Sequence, residues 1–306
     1  MDARLRISAL LTASTLALTL AACGEDDTSA DDPAPAGSTS SPTASSTPSD
    51  EPSASDPTAT SEPSQGGGET TVPVYFAGDT PQGVRLYREF RRVGGDHFSA
   101  AAALTAYGDA VDPDYRSLWP ENPGGIVGVE PQDDAIVVTV DGAAWSERGD
   151  LTAAEARIAA QQLVYTLQGV AQERLPVRVV DVDGAPVPLF GTEGDLTQAA
   201  PLEVLALVSI SGPEQGETVA DTFTAAGVAS SFEATVPWEV RDEGGKVVLD
   251  GFATAEGWMD KLYPWASEVD VSGLEPGTYS FVAMTDDPSG GEGFGPTEDS
   301  KTITVE

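Results

Sequence analysis

Residues 232–249 read FEATVPWEVRDEGGKVVL, and this stretch decides the fold of the C-terminal part of the chain. Apolar side chains recur at every second position, so Val236, Trp238 and Val240 would share one face of a strand. The segment DEGG supplies turn-forming residues, and KVVL would return as the second strand of a hairpin. The pattern therefore predicts a sheet that is buried on one face, with Trp238 in its core.

Short segments with strand composition recur on both sides of this hairpin. They include VLALVSIS at 204–211, YSFVAM at 279–284 and KTITV at 301–305. About seven short strands separated by turn signals are typical of an all-β sandwich. We therefore predict a sandwich over residues 202–306.

This region resembles the immunoglobulin-like domain of bacterial spore germination, the Gmad type. The resemblance rests on ISGP at 210–213, VPWEVRDEGGKVVLDG at 236–251, PGTY at 276–279 and DPSGGEG at 287–293. It spans nearly all of the predicted sandwich and implies an immunoglobulin-like arrangement of its strands.

Residues 71–192 mix strand and helix patterns. Strand composition marks 71–76, 126–129, 135–140 and 177–182, and helix patterns mark 97–107 and the segment after TAAE. Gly78 would end the first strand, Gly108 would end the first helix, and Thr152 with Glu155 matches a capping box. The second helix would bury one apolar face, made of Ala156, Ala160, Leu163 and Leu167. The order β-α-β-β-α-β predicts an α+β domain whose helices cover one side of a mixed sheet.

These segments together resemble the sporulation and spore germination (GerMN) domain. The resemblance rests on VPVYF at 72–76, IVGVEPQDDAIVVTVDGAAW at 126–145, AQQLVYTL at 160–167 and VRVVDVDG at 177–184. The family usually ends its first helix with a Leu-Leu-x-Gly-Pro-like sequence, whereas this chain has LTAYG and a longer connection through Trp119. GerMN domains resemble the ring-building motif of spore-channel proteins. A GerMN domain followed by this immunoglobulin-like domain is a pair that recurs in lipoproteins of Gram-positive bacteria. The two resemblances together imply a role in envelope assembly and not in catalysis.

The N-terminal segment has the pattern of an export signal. Arg4 and Arg6 precede an uncharged, mostly apolar run at 7–22, which is followed by Cys23, the only cysteine of the chain. Such a run would span about 24 Å as a helix, less than the hydrocarbon core of about 30 Å, so a signal peptide is favoured over a transmembrane helix. LAAC resembles the bacterial lipobox, which implies acylation of the Cys23 thiol. A core or catalytic cysteine fits less well, because a polar segment follows.

The composition of residues 23–70 predicts a disordered tether. Beyond Cys23 they contain neither basic residues nor aliphatic residues larger than alanine, so they cannot bury enough apolar surface to fold. The tether would reach from roughly 40 Å as a flexible coil to about 145 Å when fully extended. It would hold the folded modules away from the membrane to which acyl chains on Cys23 attach them.

Composition excludes several functional classes. The 50 acidic against 15 basic residues give a formal net charge of −35, which opposes binding to nucleic acids. One cysteine permits no intramolecular disulfide, and one histidine leaves too few ligands for structural zinc. His97, at the start of the first helix, has no evident nucleophile as a partner, so we interpret it as a surface or capping residue.

Three clusters are candidate binding sites, and each has a plain structural alternative that we favour. The basic cluster Arg85, Arg88, Arg91 and Arg92 could dock an acidic partner or form a solvated face. Trp258, Tyr263 and Trp265 could stack on sugar rings or pack structurally. Asp286, Asp287, Ser289 and Glu292 could bind calcium or form an acidic loop. We predict no catalytic residue, no cofactor and no metal.

The sequence therefore predicts a non-enzymatic protein that is exported and lipid-anchored through Cys23 on the outer face of the cell membrane. Its two modules would bind an envelope protein or a cell-wall polymer. The alternative is a carbohydrate-binding or wall-remodelling enzyme. A deep pocket with convergent carboxylates, beside an exposed Trp258 or Trp265, would favour that alternative.

Overall fold

The structure, a computed structural model, describes residues 68–121, 124–287, 292–293 and 295–306. The predicted export signal, Cys23 and nearly all of the predicted tether lie outside the described residues. Within the described part of the chain, no helix combines the length and the apolar character needed to cross a membrane.

Strands and helices alternate in the N-terminal region, and strands alone make up almost all of the C-terminal region. The N-terminal elements are β1 (Thr70–Thr80), β2 (Gly83–Val93), α1 (His97–Tyr107), β3 (Tyr115–Arg116), β4 (Gly125–Pro131), β5 (Ile136–Asp141), α2 (Ala153–Ala171), β6 (Val177–Asp181) and the short α3 (Pro201–Val204). The C-terminal elements are β7 (Val208–Gly212), β8 (Glu217–Val219), β9 (Thr222–Ala229), β10 (Thr235–Arg241), β11 (Val247–Thr254), β12 (Tyr263–Asp270), β13 (Gly277–Met284) and β14 (Glu298–Val305). The predicted α+β region followed by a sandwich is confirmed.

The first strand is one arm of a long hairpin that the sequence analysis did not foresee. β1 and β2 pair antiparallel over their whole length, and β1 runs through Gly78 to Thr80. The prediction that Gly78 ends the strand is wrong, because this glycine serves packing instead of a turn. A Cβ on Gly78 would lie 2.7 Å from the ring of Tyr87, closer than any side chain can approach.

The strands of the N-terminal region form two three-stranded sheets, β2-β1-β3 and β4-β5-β6, in place of the single mixed sheet expected. β5 and β6 are parallel, and α2 provides the crossover between them. Since β3 is too short to cover β1, the backbone of Tyr75 meets α2 instead. Its N–H donates to Thr166 Oγ1 at 3.1 Å, and its carbonyl accepts from Gln162 Nε2 at 3.1 Å. Side chains of α2 thus complete an open sheet edge.

α2 begins and packs as a central helix. The predicted capping box is confirmed: the backbone N–H of Thr152 donates to Glu155 Oε2 at 2.9 Å, and the Glu155 N–H donates to Thr152 Oγ1 at 3.2 Å. The predicted apolar face is buried, and so are Gln161 and Gln162, which lie outside that face. The helix is therefore surrounded by protein along its middle turns, more than its amphipathic pattern indicates.

The long connection after α1 is held by aromatic packing. Trp119 contacts Trp145 and Phe190 edge-on, with ring centroids 4.8 and 5.0 Å apart, and its indole N–H donates to the Ala159 carbonyl at 2.9 Å. This aromatic cluster packs the connection after α1, where the chain differs from the GerMN pattern, against the main N-terminal core.

The C-terminal sandwich packs the sheet β11-β10-β13-β14-β8 on the sheet β12-β9-β7. Val236, Trp238 and Val240 face the core as predicted. The Trp238 indole N–H donates to Ser267 Oγ at 3.1 Å. Its register partner is Gly251, whose lack of a side chain leaves room for the indole, since a Cβ there would lie 2.4 Å from the ring.

Candidate functional site

The predicted basic cluster does not form one surface. Because β2 is a regular strand, Arg85 and Arg91 lie on one face and Arg88 and Arg92 on the other. Arg91 forms an ion pair with Glu89 at 3.2 Å, as the structural alternative predicts. A single docking patch made of all four arginines is therefore not present in this strand.

The predicted aromatic cluster is also divided. Trp265 is buried in the sandwich core, with 3% of its surface exposed, whereas Trp258 is 47% exposed and contacts Phe232 edge-on. Tyr263 is covered by the Lys261 ammonium, 4.6 Å from the ring centroid. The three side chains do not form a common platform for a sugar ring.

The remaining predicted residues have modest roles where the structure describes them. His97 opens α1, but the capping side chain is that of Asp96, which accepts from the Phe98 N–H. The backbone N–H of Asp286 donates to Ser231 Oγ at 2.7 Å. Ser289 lies outside the described residues, so the calcium hypothesis for its loop stays a prediction. Among the residues that are described, no three acidic, histidine or cysteine side chains are grouped as a metal site would require.

A buried polar network lies between the two modules, and none of the three predicted clusters contains its residues. The described residues of both modules belong to one compact unit. Lys301 and Asp299 lie on β14 of the sandwich, and Asp112 and Tyr115 follow α1 in the N-terminal region. The Lys301 ammonium is 2.5 Å from Asp112 Oδ2, 2.6 Å from Tyr115 Oη and 3.3 Å from Asp299 Oδ1. We call these four residues the interface network.

The interface network is shielded from water, and this governs its protonation. Burial raises the pKa of Tyr115 well above its usual value, and the charges of Asp299 and Asp112 act in the same direction. Tyr115 therefore stays a neutral phenol, donating to Asp299 and accepting from Lys301. Burial also raises the pKa of Asp299, and the Lys301 charge and the Ile210 N–H oppose that shift. The Lys301 ammonium thus contacts two carboxyl groups, those of Asp112 and Asp299.

Contacts around this network extend along the first half of β14. Thr297, just before the strand, donates to Gln82, and the Glu298 carbonyl accepts from Tyr87 Oη at 3.0 Å. Ser300 donates to Asp114 Oδ2 at 2.7 Å. With Asp299 and Lys301, five consecutive residues of the sandwich contact the N-terminal module. The sequence does contain a signal: alternation along EDSKTITV places Asp299 and Lys301 at inward positions, in line with Ile303 and Val305.

An acidic cleft of about 650 Å3 opens beside the interface network. Five of the six acidic residues that line it are engaged in structural contacts, namely Asp79, Asp114, Asp242, Glu298 and Asp299. Asp79 forms an ion pair with Arg116 at 2.8 Å, which lowers the pKa of Asp79, and Glu298 lies 3.4 Å from Arg241. Trp258 is not among the residues that line this cleft. Among its described lining residues, the cleft therefore lacks the combination of convergent free carboxylates and an exposed tryptophan that would favour sugar hydrolysis.

Two protein families match this chain. Residues 73–188 match the family described as sporulation and spore germination, and residues 207–292 match the immunoglobulin-like domain of bacterial spore germination. No curated protein matches the chain. The two matched ranges coincide with the N-terminal module and with most of the sandwich.

Solved structures with detectable similarity include the tandem GerMN domains of the sporulation protein GerM from Bacillus subtilis. That match has 11% identity and a TM-score of 0.34, and it covers 67% of this chain and 62% of that one. CopC from Methylosinus trichosporium OB3b matches with 19% identity and a TM-score of 0.23, over 32% of this chain and 93% of that one. These scores are too low to establish a shared fold, so the family models carry the assignment.

Proposed function

The chain carries a sporulation and spore germination (GerMN) domain followed by an immunoglobulin-like domain of bacterial spore germination, and from this premise we propose a non-enzymatic scaffold of the cell envelope. A lipid on Cys23 holds it at the outer face of the membrane. Its two modules bind an envelope protein or a wall polymer outside the membrane. The role in sporulation or germination follows from the two families.

The observation that carries the scaffold role is the contact of five consecutive residues, Thr297 to Lys301, with the N-terminal module. A two-module enzyme commonly needs its modules to open and close around a substrate, and a buried ion pair resists such motion. A scaffold needs a fixed spacing between its binding surfaces. The interface network supplies that fixed spacing.

The lipid anchor rests on the sequence before the folded modules. Arg4 and Arg6, the apolar run and LAAC form the pattern of a lipoprotein signal. Two or three acyl chains on Cys23 give stable membrane attachment, whereas one chain is marginal. Such attachment overcomes the repulsion between this acidic protein and an anionic membrane surface.

Metabolic labelling with a fatty-acid analogue tests the anchor. We expect label and membrane retention in the wild type and in a Ser45→Ala control, and loss of both in Cys23→Ala. Labelling of Cys23→Ala at the wild-type level would refute lipidation at this residue.

Photo-crosslinking on intact cells tests the binding role. A crosslinking amino acid at exposed Val127 or Phe252 samples one module each. We expect adducts with a wall polymer or an envelope protein at these two positions, and fewer when the same amino acid replaces Ser45 in the predicted tether. Equal adducts from the tether position and from the two module positions would contradict binding through the modules.

The exposed side chain of Trp258 is the one observation that favours the carbohydrate-active alternative. Incubation of the purified protein with cell-wall polysaccharide tests it. Release of new reducing ends by the wild type, and its loss in Trp258→Ala, would replace the scaffold with an enzyme.

A further inference from the structure

A second cleft, of about 440 Å3, lies between the modules on the other face of the β1–β2 hairpin from Tyr87. Arg88 of β2 and Arg174 after α2 line it from the N-terminal module, and Lys261 lines it from the connection between β11 and β12. We call it the basic cleft. It shares no lining residue with the acidic cleft.

The charge of the basic cleft is opposite to that of the chain. Three cations line it against a single acid, Glu173, although the chain has a net charge of −35. Within the described part of the chain, Arg88, Arg174 and Lys261 form no ion pair. Cations that line one cleft without acidic partners stabilise an anion that binds there.

The wall of the basic cleft also contains two buried polar atoms that no described residue satisfies. Gln168 Oε1 and Ser209 Oγ have no hydrogen-bond partner among the described residues, and both residues are more than nine-tenths buried. The amide of Gln168 is oriented by its Nε2, which donates to the Leu175 carbonyl at 2.8 Å. Buried polar atoms in proteins almost always find a partner, in the protein, in water or in a ligand. Here the missing partners are a donor for Gln168 and an acceptor for Ser209.

We propose that the basic cleft binds a phosphorylated polyol. Phosphate oxygens accept from the three cations and from Ser209, and a polyol hydroxyl donates to Gln168 Oε1. A phosphate matches the planar guanidinium donors of Arg88 and Arg174, and the hydroxyl distinguishes the ligand from a simple ion. If the ligand is a phosphodiester polymer of the wall, this proposal rests on the proposed function and names the class of polymer that the protein binds.

The site depends on both modules being held together. Arg88 and Arg174 come from one module, and Ser209 and Lys261 come from the other. Arg88 is itself positioned across the interface, because its guanidinium donates to Ser211 Oγ at 3.0 Å. The interface network thus fixes the spacing that the ligand requires.

Titration calorimetry on the detergent-solubilised full chain tests the proposal, with glycerol 3-phosphate and short glycerol-phosphate oligomers as probes. Arg174→Gln and Lys261→Gln alter exposed side chains and should each weaken binding about tenfold, and the double variant about a hundredfold. Arg148→Gln and Lys246→Gln are matched controls, because they remove exposed cations outside the cleft.

Binding of both probes with this pattern supports a phosphorylated polyol, and binding of the oligomer alone supports the wall polymer as its source. Absence of binding by either probe, or equal weakening by the control variants, overturns the proposal. So does tighter binding of a carboxylated sugar than of either phosphate. Lipid labelling at Cys23 and crosslinking on cells are measured in the same variants. If neither probe binds but lipid labelling and crosslinked adducts are unchanged, the cleft proposal is wrong and the proposed scaffold function is unaffected.

Discussion

The ammonium of Lys301 lies 2.5 Å from the carboxylate of Asp112, across the boundary between two modules, and both side chains are almost fully buried. The two residues are 189 positions apart in the chain. Their ion pair is desolvated, so each charge depends on the other for its stability. The first three predictions concern this network.

Replacing the cation should destabilise the whole unit. Lys301→Met leaves two buried carboxyl groups without a counterion, and we expect a loss of about 3–5 kcal/mol in the free energy of unfolding. Urea denaturation measures it. The exposed Lys246→Met serves as the control and should change stability by less than about 0.5 kcal/mol. Equal midpoints for the two variants would show that the interface network does not stabilise the fold.

The Tyr115 hydroxyl should matter more than its ring. Tyr115→Phe keeps the stacking on Tyr87, whose ring centroid is 4.6 Å away, but removes the bridge between Lys301 and Asp299. We expect a cost of about 1–3 kcal/mol in unfolding free energy, because buried polar groups lose a partner. Tyr263→Phe, which removes a hydroxyl from the surface, should cost clearly less. A larger effect at Tyr263 would contradict this role.

The stability should depend on pH through Asp299. A raised pKa in the folded state means that folding favours the protonated acid, so this contribution is present below the ordinary pKa of 3.8 and is lost as the pH rises through the folded-state value. The free energy of unfolding of the wild type, relative to Asp299→Asn, should therefore fall as the pH rises above 3.8.

Asp270 provides a control of opposite sign. Its hydrogen bonds with Ser272 lower its pKa, so its contribution is present above 3.8 and is lost as the pH falls through the folded-state value. The difference between wild type and Asp270→Asn should then grow with pH in urea titrations at several pH values. The same trend for both variants would refute the assignment for Asp299.

Packing at Gly78 should be intolerant of a methyl group. Gly78→Ala drives a Cβ into the ring of Tyr87 and should destabilise the chain by about 1–3 kcal/mol. Gly94→Ala is the matched control, because nothing lies within 4 Å of a Cβ there. Thermal unfolding of the two variants side by side measures the difference. Equal melting temperatures would show that the hairpin relaxes to accept the methyl group.

The sequence predicted the elements whose cause is local. Two such predictions are confirmed, the capping box at Thr152 and Glu155 and the alternation around Trp238, because each depends on residues a few positions apart. The two family resemblances are also confirmed. Lipidation of Cys23 stays a prediction, because that residue lies outside the described part of the chain.

The β1–β2 hairpin and both clefts became visible only in three dimensions. Glycine is typical of the turn that ends a strand, but Gly78 lies within a strand because the Tyr87 ring occupies the space that a side chain would need. Alternation along β14 places Lys301 on the inward face, but the sequence does not show that Asp112 and Tyr115 of the other module are the partners of its charge. Local pattern determines where strands and helices form. Burial of charge depends on partners far along the chain, so only tertiary packing decides which charged residues become the interface between the modules.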